Sequence, residues 1–370
     1  MTRESGRCRV LFVAGARPNF MKVAPLLREL RSRSGFDARL VHTGQHYDPA
    51  MSDEFFRDLA IPTPDHHLAV GSSPHGEQTA QVMSSIEPIM LEQKPHAVVV
   101  VGDVNSTLAA TIVAVKLGIP VAHVEAGLRA FDRSMPEEIN RILTDAVSHW
   151  LFTTERAGDE NLLREGIPPE RIHFVGNVMV DTLLHNLARA RELDTLTRLG
   201  LEPAGYALLT LHRPSNVDDP AQLAPLLDLL EEIHRELPVV FPVHPRTRAA
   251  MRALRGDQEP GLMLLEPLGY LEFLRLMTDA RLVLTDSGGI QEETTVLGVP
   301  CLTLRENTER PVTLSEGTNK LVGRDPVTIG LEVRKALAAQ PRRGSVPEGW
   351  DGAAAGRIAD ILERDLGVSA

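Results

Sequence analysis

Short apolar runs rich in Val, Ile and Leu alternate with amphipathic helical stretches along the chain, and no other feature restricts the possible folds as strongly. In the first half, the apolar runs lie at residues 9–14, 39–42, 97–101, 121–124 and 150–153. Helical periodicity lies between them, at residues 20–31, 77–92, 106–117 and 138–147. Continuous apolar runs suit strands that are buried on both faces. The alternation therefore predicts an α/β fold with parallel sheets.

A second series of apolar runs follows the polar stretch 193–205 and indicates a second domain. Its runs lie at residues 206–210, 239–241, 263–265, 282–285 and 301–304. Segments 97–124 and 280–304 also share one order of elements, from a strand and an Asp through a helix to a second strand. A chain of 370 residues exceeds the size at which a single core usually stops growing.

We therefore predict two doubly wound domains, at residues 1–180 and 206–350, joined by a linker at 181–205. A C-terminal helix is predicted within residues 351–370, and packing back on the first domain is one option for it. In open α/β sheets, ligands bind outside the carboxyl ends of the strands. Polar residues that follow the predicted strands are therefore the first candidates for function.

Composition and charge exclude several classes of protein. Apolar residues make up 43% of the chain and charged residues 24%, as in globular proteins. The net charge of -11 opposes non-specific attraction to nucleic acid. No apolar run approaches the ~20 residues that span a membrane, so neither a signal peptide nor a membrane partner is expected. Cys8 and Cys301 lie beside predicted strands, which favours reduced, buried thiols and a cytoplasmic location.

One segment combines small residues with the start of a helix. Ser287, Gly288 and Gly289 leave a predicted strand and open a helix, where backbone N–H groups and the helix dipole attract an anion. A phosphate suits this site, although a Ser N-cap with glycines in a tight turn explains the same pattern. Glu293, further along the helix, either binds ribose hydroxyls or lies exposed on the helix face.

Basic residues and histidines follow three other predicted strands and are candidates for binding a diphosphate. Arg17 and Lys22 follow the first strand in a segment without the G-x-G-x-x-G pattern, so NAD binding receives no support. The alternative for this pair is an exposed helix start. His212 and Arg213 end the first strand of the second half, and His244 follows the next strand. Arg and His donate to phosphate oxygens, but a single His is more often structural.

Three acidic residues lie where predicted strands end or a helix begins. Asp103 and Glu125 each follow a strand, and Glu137 follows a proline at a helix start. Each has a structural alternative, since acidic residues also cap loops and helices. Together, at one edge of a sheet, they indicate acid–base chemistry. His123 and His149 are interpreted as structural.

Ordered motifs along nearly the whole chain resemble those of the non-hydrolysing UDP-N-acetylglucosamine 2-epimerases. They are GARPNFMKVAPL (15–26), GDVNSTLA (102–109), HVEAGLR (123–129), MPEEINR (135–141), HRP (212–214), VHP (243–245), TDSGGIQEE (285–293) and TERP (308–311). So many motifs in one order are not expected by chance. Asn19 is a departure, because many members have Glu there, and the loop between Glu125 and Glu137 is shorter than in some relatives. These departures leave the identity of the sugar open.

The resemblance implies a GT-B-type architecture, in which two Rossmann-like domains with parallel sheets face an interdomain cleft, and usually a homodimer. It also implies reversible conversion of UDP-GlcNAc to UDP-ManNAc without NAD or metal, through elimination of UDP to 2-acetamidoglucal and its re-addition. The residues assigned to catalysis are Asp103, Glu125, Glu137 and His212. The residues assigned to the substrate, with Glu293 at the ribose and Phe273 near the uracil, are Arg17, Lys22, Arg213, His244, Phe273, Ser287, Gly288, Gly289, Glu293 and Arg310.

Three alternative functions stay open at this point. A hydrolysing relative releases UDP and free ManNAc instead of returning UDP to the sugar. A GT-B glycosyltransferase passes the sugar to an acceptor, although three carboxylates in family motifs favour proton chemistry at C2. A protein that binds a UDP-sugar without turning it over is the third alternative.

Overall fold

The computed structural model describes residues 6–45, 56–256, 258, 260–339 and 344–368. The chain divides into two compact units, one of Met1–Thr182 with Glu348–Ala370 and the other of Leu183–Pro347. Each unit contains one parallel β-sheet with its helices, so the predicted α/β class is confirmed. Of the helices in the described ranges, none combines the length and apolar character that crossing a bilayer requires.

The first unit is built on a parallel sheet of seven strands in the order β3-β2-β1-β4-β5-β6-β7. The strands are β1 (Cys8–Ala14), β2 (Phe36–His42), β3 (His66–His67), β4 (Ala97–Val101), β5 (Val121–Ala126), β6 (Trp150–Thr153) and β7 (Ile172–Phe174). The helices of this part of the chain are α1 (Arg17–Ser32), α2 (His75–Gln93), α3 (Asn105–Lys116), α4 (Pro136–Val147), α5 (Arg156–Arg164) and α6 (Val178–Arg191). A short 3-10 helix, Pro169–Arg171, precedes β7.

The central strands of this sheet are buried on both faces, as their apolar runs predict. All five residues of β4 are buried, and Leu11 of β1 pairs in register with Val98 of β4. These strands pack against Ile86 and Met90 of α2 in one core cluster. Full burial of a large apolar side chain contributes roughly 1.5–3 kcal/mol, so this core fixes the strand ends that carry the polar candidates.

The second unit repeats this architecture with a parallel sheet of six strands in the order β10-β9-β8-β11-β12-β13. The strands are β8 (Ala207–Thr210), β9 (Val239–Pro242), β10 (Met263–Leu265), β11 (Leu282–Thr285), β12 (Cys301–Thr303) and β13 (Asn319–Leu321). The helices are α7 (Thr195–Leu199), α8 (Pro214–Val217), α9 (Pro220–Glu236), α10 (Pro245–Arg255), α11 (Tyr270–Thr278), α12 (Gly288–Leu297), α13 (Val312–Ser315) and α14 (Pro326–Ala338).

The C-terminal segment belongs to the first unit and ends in helix α15 (Ala354–Asp365), which packs against α1. Arg33 Nη1 lies 2.6 Å from Glu363 Oε2 and joins the two helices. Trp350 is fully buried and donates its Nε1–H to the carbonyl oxygen of Thr154 at 2.9 Å. Residues more than 160 positions apart thus complete one core.

Two glycines lie in close contact where the C-terminal segment packs against the rest of the first unit. Gly176 and Gly349 have positive φ angles of 85° and 73°, and a Cβ placed on Gly176 would lie 1.9 Å from the carbonyl oxygen of Gly349. Both the backbone conformation and the close approach therefore require glycine at position 176.

Gly176→Ala is expected to lower the free energy of unfolding by at least about 2 kcal/mol, because the methyl group overlaps a backbone oxygen as well as straining a left-handed residue. Gly166→Ala is the matched control, since Gly166 has φ 83° and no atom within 4 Å of an added Cβ. Urea denaturation of both variants separates the overlap from the strain. Equal losses in the two variants would show that the approach to Gly349 contributes nothing.

Candidate functional site

The strand order reverses once in each sheet, and the candidate residues lie around that position. In the first sheet β1 lies between β2 and β4, and in the second β8 lies between β9 and β11. In doubly wound sheets, ligands bind outside the carboxyl ends of the strands at this switch point. Gly15 and Asp103 follow β1 and β4, whereas His212 and Asp286 follow β8 and β11. Each unit therefore presents its own set of candidate groups.

A buried ion pair joins the start of α1 to the end of β5 in the first unit. The ammonium of Lys22 contacts Oε2 of Glu125, and both side chains are less than a tenth exposed. Gly102 leaves room for this pair, because a Cβ there would lie 3.1 Å from Lys22 Nζ and 3.3 Å from Glu125 Oε2. Removing one member of such a pair leaves an uncompensated buried charge, so the pair holds both side chains in place. The structure thus pairs the ammonium of Lys22 with the carboxylate of Glu125.

The backbone at Glu125 is in an unusual conformation for a residue with a side chain. Its φ angle is 74°, and the pairing of β5 with β6 shifts register between Val124 and Ala126. Residues other than glycine in the left-handed region cost roughly 1–2 kcal/mol and persist where the surroundings hold them. The Glu125 carboxylate at this bulge is the one that contacts the ammonium of Lys22.

Arg141 of α4 fixes the carboxylate of Asp103. Its Nε and Nη2 donate to Oδ2 of Asp103 at 3.0 and 2.7 Å, and its Nη1 donates to Glu138 Oε2 at 2.6 Å. Asn140 donates to the carbonyl oxygen of Asp103 at 2.8 Å. The Asp103 side chain is 29% exposed, whereas Arg141 is buried. Asp103 is consequently oriented by a buried cation and accessible to a ligand.

Glu137 and Glu138 are neighbours in the first turn of α4 but have different surroundings. Glu138 is buried and accepts from the backbone N–H groups of Ala130 and Phe131 at 3.0 and 2.9 Å, which fixes the preceding loop. The side chain of Glu137 is exposed. Of the two glutamates, Glu137 is therefore available to a ligand and Glu138 positions the loop and Arg141.

The segment that follows β1 is shaped by Asn19. Its Oδ1 accepts from the backbone N–H groups of Gly15 and Ala16 at 3.1 and 3.0 Å, and its Nδ2 donates to Val101 at the end of β4. Asn19 thus joins the two strand ends at the switch point. Arg17 begins α1, but its side chain lies outside the described residues.

Asp286 organises the residues that follow β8 in the second unit. It accepts from His212 Nδ1 at 2.9 Å, from the N–H groups of His212 and Arg213 at 3.0 and 2.9 Å, and from Asn216 Nδ2 at 3.1 Å. Burial alone would raise the pKa of Asp286, but the hydrogen bonds and charge of His212, with the backbone N–H groups, lower it. The His212 ring is thereby oriented, and the His244 ring lies 5.8 Å from it.

Arg310 lies against the N-terminus of α12, close to Gly288. Its Nε and Nη1 lie 2.9 Å from Glu292 Oε1 and 2.5 Å from Glu309 Oε1. A Cβ on Gly288 would lie only 2.6 Å from Arg310 Nη1. The start of α12 therefore presents its backbone beside a guanidinium, and the N–H of Ser287 donates to Thr285 Oγ1 at 3.0 Å. Gly289 is the second residue of this helix.

Glu293 lies in the interior of the second unit, bound to an aromatic hydroxyl. Tyr270 donates its hydroxyl proton to Glu293 Oε1 at 3.0 Å. Burial raises the pKa of Glu293 to about 8, and the charge of Glu292 acts in the same direction, while the bond from Tyr270 opposes them. Phe273 follows Tyr270 by one helical turn on α11 and is partly buried. At neutral pH, Glu293 is therefore mainly a protonated carboxylic acid.

Comparison with known proteins identifies the family of this chain. A family model described as UDP-N-acetylglucosamine 2-epimerase matches residues 28–363. The UDP-N-acetylglucosamine 2-epimerase of Methanococcus maripaludis is 43% identical over 338 residues, which cover 89% of this chain and 92% of that protein. The chain belongs to the UDP-N-acetylglucosamine 2-epimerase family. The family resemblance predicted from the ordered motifs is confirmed.

Two further relatives bear on fold and substrate. The crystal structure of the Methanocaldococcus jannaschii UDP-GlcNAc 2-epimerase, in complex with UDP-GlcNAc and UDP, is similar with a TM-score of 0.89 and 42% identity. The match covers 96% of this chain and 99% of that chain, and the predicted GT-B-like fold is confirmed. UDP-2,3-diacetamido-2,3-dideoxy-D-glucuronate 2-epimerase of Pseudomonas aeruginosa is 41% identical over 360 residues, covering 96% of this chain and 99% of that protein. Related proteins thus act on more than one UDP-sugar.

The structure adds contacts that the sequence did not assign, made by Arg141, Glu138, Asp286 and Tyr270. Arg141 and Glu138 stand three residues apart in the MPEEINR motif, a spacing that places two side chains on one helix face. Asp286 opens the DSGG segment, but its bonds to the strand end at His212 depend on the sheet order. Tyr270 lies outside all of the quoted family motifs, so no sequence signal pointed to its bond with Glu293. Among the residues that the structure describes, no three His, Cys, Asp or Glu side chains are grouped closely enough to hold a metal ion.

Proposed function

We propose that this chain catalyses the reversible epimerisation of UDP-GlcNAc to UDP-ManNAc at C2 of the sugar, as an isomerase of its family. The observation that carries the proposal is the pair of carboxylates at the ends of adjacent strands in the first unit. Asp103 is held by Arg141, and Glu125 is held by Lys22. Carboxylates fixed in this way are suited to moving a proton at a defined carbon atom.

The reaction proceeds by loss and return of UDP. The C2 proton of the sugar has no neighbouring carbonyl group and is too weakly acidic for direct removal. As the bond between C1 and the UDP oxygen breaks, positive charge develops at C1 and acidifies the C2 proton. A carboxylate takes that proton, and the electron pair of the C2–H bond forms the double bond of 2-acetamidoglucal. Protonation of C2 from the opposite face and attack by UDP at C1 give the epimer.

Asp103 is the stronger candidate for removing a C2 proton, because its carboxylate is partly exposed while Glu125 is buried beside Lys22. Glu137 is exposed and completes the proposed catalytic carboxylates, to which the sequence adds His212 as a fourth catalytic residue. Returning the proton to the opposite face requires a second group. Glu125 and Glu137 are the proposed candidates for that step.

The second unit is proposed to bind UDP and to stabilise it as a leaving group. The start of α12 presents backbone N–H groups and a positive helix end, beside the guanidinium of Arg310. His212 and Arg213, positioned by Asp286, add donors for the diphosphate. Stabilising the departing charge lowers the barrier to C1–O cleavage, and retaining UDP permits its return.

The remaining substrate contacts are proposed from the family motifs. Glu293, protonated at neutral pH, is able to donate to a ribose hydroxyl as well as accept from one. Phe273 is proposed to lie near the uracil, and Arg17 and His244 to contribute at the diphosphate. Lys22 is proposed to act through Glu125. Assembly as a homodimer and a cytoplasmic location stay predictions of the sequence.

A related UDP-sugar is the second candidate substrate. The P. aeruginosa relative named for UDP-2,3-diacetamido-2,3-dideoxy-D-glucuronate is 41% identical across nearly the whole chain. That identity is close to the 43% shared with the M. maripaludis UDP-N-acetylglucosamine 2-epimerase. Both UDP-sugars therefore belong in the first assay.

The test is to incubate the purified protein with each UDP-sugar in D₂O and to follow products by NMR. The expected result is interconversion of UDP-GlcNAc and UDP-ManNAc with deuterium entering C2. Stoichiometric release of UDP and free ManNAc indicates a hydrolysing enzyme instead. Binding of UDP-sugar without deuterium at C2 contradicts catalysis, and turnover of only the diacetamido sugar reassigns the substrate.

A further inference from the structure

Three ionisable side chains form a cluster in the interior of the first unit, near the strand ends that carry Asp103 and Glu125. His123 Nδ1 lies 2.6 Å from Asp145 Oδ1, and Arg129 Nη2 lies 2.8 Å from Asp145 Oδ2. The side chains of all three are at most 1% exposed. Burying an ionised group costs desolvation free energy, which the bonds within the cluster offset. Such a cluster is a candidate for a function beyond packing.

The second nitrogen of His123 contacts the backbone beside Asp103. Nε2 of His123 lies 2.8 Å from the carbonyl oxygen of Gly102. A carbonyl oxygen and an ionised carboxylate accept hydrogen bonds, so the two ring nitrogens of His123 face two acceptors. Burial alone would raise the pKa of Asp145, but the charges and hydrogen bonds of His123 and Arg129 lower it, which keeps the carboxylate ionised.

The same carboxylate also contacts the strand that carries Glu125. The backbone N–H of Gly127, two residues after Glu125, donates to Asp145 Oδ2 at 3.1 Å. Arg129 Nη2 also lies 2.6 Å from Glu165 Oε2, so the guanidinium contacts two carboxylates. The buried carboxylate of Asp145 is thus connected to both strand ends. It reaches Gly102 through His123 and bonds directly to the N–H of Gly127.

Both strand ends have left-handed backbone, which glycine adopts freely at position 102 but which Glu125 keeps only where its surroundings hold it. Gly102 has φ 66°, and Glu125 has φ 74° beside a register shift. A left-handed residue with a side chain relaxes unless neighbouring contacts fix it. The bonds to the Gly102 carbonyl and the Gly127 N–H lie at or beside these positions, and they act on the backbone while Arg141 and Lys22 contact the two carboxylates.

We propose that His123 and Asp145 are positioning residues that hold Asp103 and Glu125 in the relative placement needed for proton transfer at C2. The inference rests on the proposed epimerase function for its kinetic consequence. The interpretation of His123 from sequence as structural is thereby refined, because the bond to Gly102 connects it to the candidate base. A misplacement of about 1 Å at a reacting group costs up to roughly a hundredfold in rate.

The test uses two substitutions that keep different nitrogens. In His123→Gln the side-chain amide reaches the place of Nε2 and keeps a donor for Gly102, whereas in His123→Asn it reaches only the place of Nδ1. We expect kcat to fall by roughly thirtyfold in His123→Asn and by only about threefold in His123→Gln. KM and the Kd for UDP should change by less than about threefold in both, because the proposed UDP contacts of the second unit are untouched.

His149→Asn is the matched control. His149 accepts from the N–H of Val121 at 3.2 Å, at the opposite end of the same strand, and this variant should keep wild-type kcat. Equal kcat losses in His123→Asn and His123→Gln would overturn the proposal, as would losses that simply follow melting temperature.

Crystal structures of wild type and His123→Asn with UDP provide a readout that is independent of turnover. The expected result is a shift of the Gly102–Asp103 backbone by about 0.5–1 Å, the scale at which a catalytic group loses its geometry. An unmoved Asp103 would overturn the positioning role even if kcat falls.

If the wild-type protein turns over neither UDP-sugar, the proposed function fails, and the structural comparison still decides whether His123 positions Asp103. If His123→Asn does not fold, the comparison is made with His123→Gln, where an Asp103 placed as in wild type supports the proposal and a displaced one overturns it.

Discussion

Asp103→Asn is expected to lower kcat for UDP-sugar epimerisation by at least about a hundredfold. An amide cannot accept the C2 proton, and loss of a general acid or base typically costs a factor of 10² to 10⁴. The Asn oxygen still accepts from Arg141, which donates twice to one oxygen of Asp103 in the wild type. The local structure should therefore persist, and the Kd for UDP should stay within about threefold.

The measurement combines kcat with the rate at which solvent deuterium enters C2, since both report proton transfer. Asp360→Asn is the control, because Asp360 is a 71% exposed carboxylate on the outside of the same unit. Glu137→Gln, at an exposed position beside the buried Glu138, is expected to share the loss of turnover. Near-normal turnover in both Asp103→Asn and Glu137→Gln contradicts the assignment of the catalytic carboxylates.

The fold could be predicted from sequence because most of its strands are short, continuous apolar runs between amphipathic helices. The run at residues 97–101 is β4 in the structure, and every one of its side chains is buried. Three strands had no such signal: His66–His67, Ile172–Phe174 and Asn319–Leu321. Each has two or three residues, lies at a sheet edge and is partly exposed or polar, so no apolar run marks it. The order of the strands also depends on pairing, which periodicity does not report.

The site could be predicted only as far as its motifs extend. Asp103 and His212 follow strands, whereas Glu125, expected to follow one, is the second-last residue of β5; both kinds of position are visible as the ends of apolar runs in the sequence. Their partners are not, because Arg141 and Asp286 reach them across 38 and 74 positions of the chain. The left-handed conformation of Glu125 and the raised pKa of Glu293 likewise arise from packing around them. Sequence therefore indicates the candidate groups, while their orientation and protonation come from tertiary contacts.

Glu293→Gln is expected to stabilise the ligand-free protein, and the gain should grow with pH. Burial raises the pKa of Glu293 from an ordinary 4.5 to about 8, so the folded state favours the protonated acid. A group whose pKa is higher in the folded than in the unfolded state contributes fully below the unfolded pKa and loses that contribution as pH rises. The wild type should therefore lose stability between about pH 4.5 and about pH 8. The neutral amide has no proton to lose and keeps an oxygen acceptor for the Tyr270 hydroxyl, which lies 3.0 Å from the wild-type carboxylate.

The expected gain of Glu293→Gln over wild type is small at pH 5 and on the order of 4 kcal/mol at pH 8.5, since one pKa unit corresponds to about 1.4 kcal/mol. Urea denaturation at several pH values measures it directly as the difference between the two proteins. Glu232→Gln is the control for exchanging a carboxyl group for an amide, because Glu232 is exposed on α9. A constant difference for Glu293→Gln would show that Glu293 is ionised throughout. In that case it meets a ribose as an acceptor alone, and the proposed donation to a ribose hydroxyl does not occur.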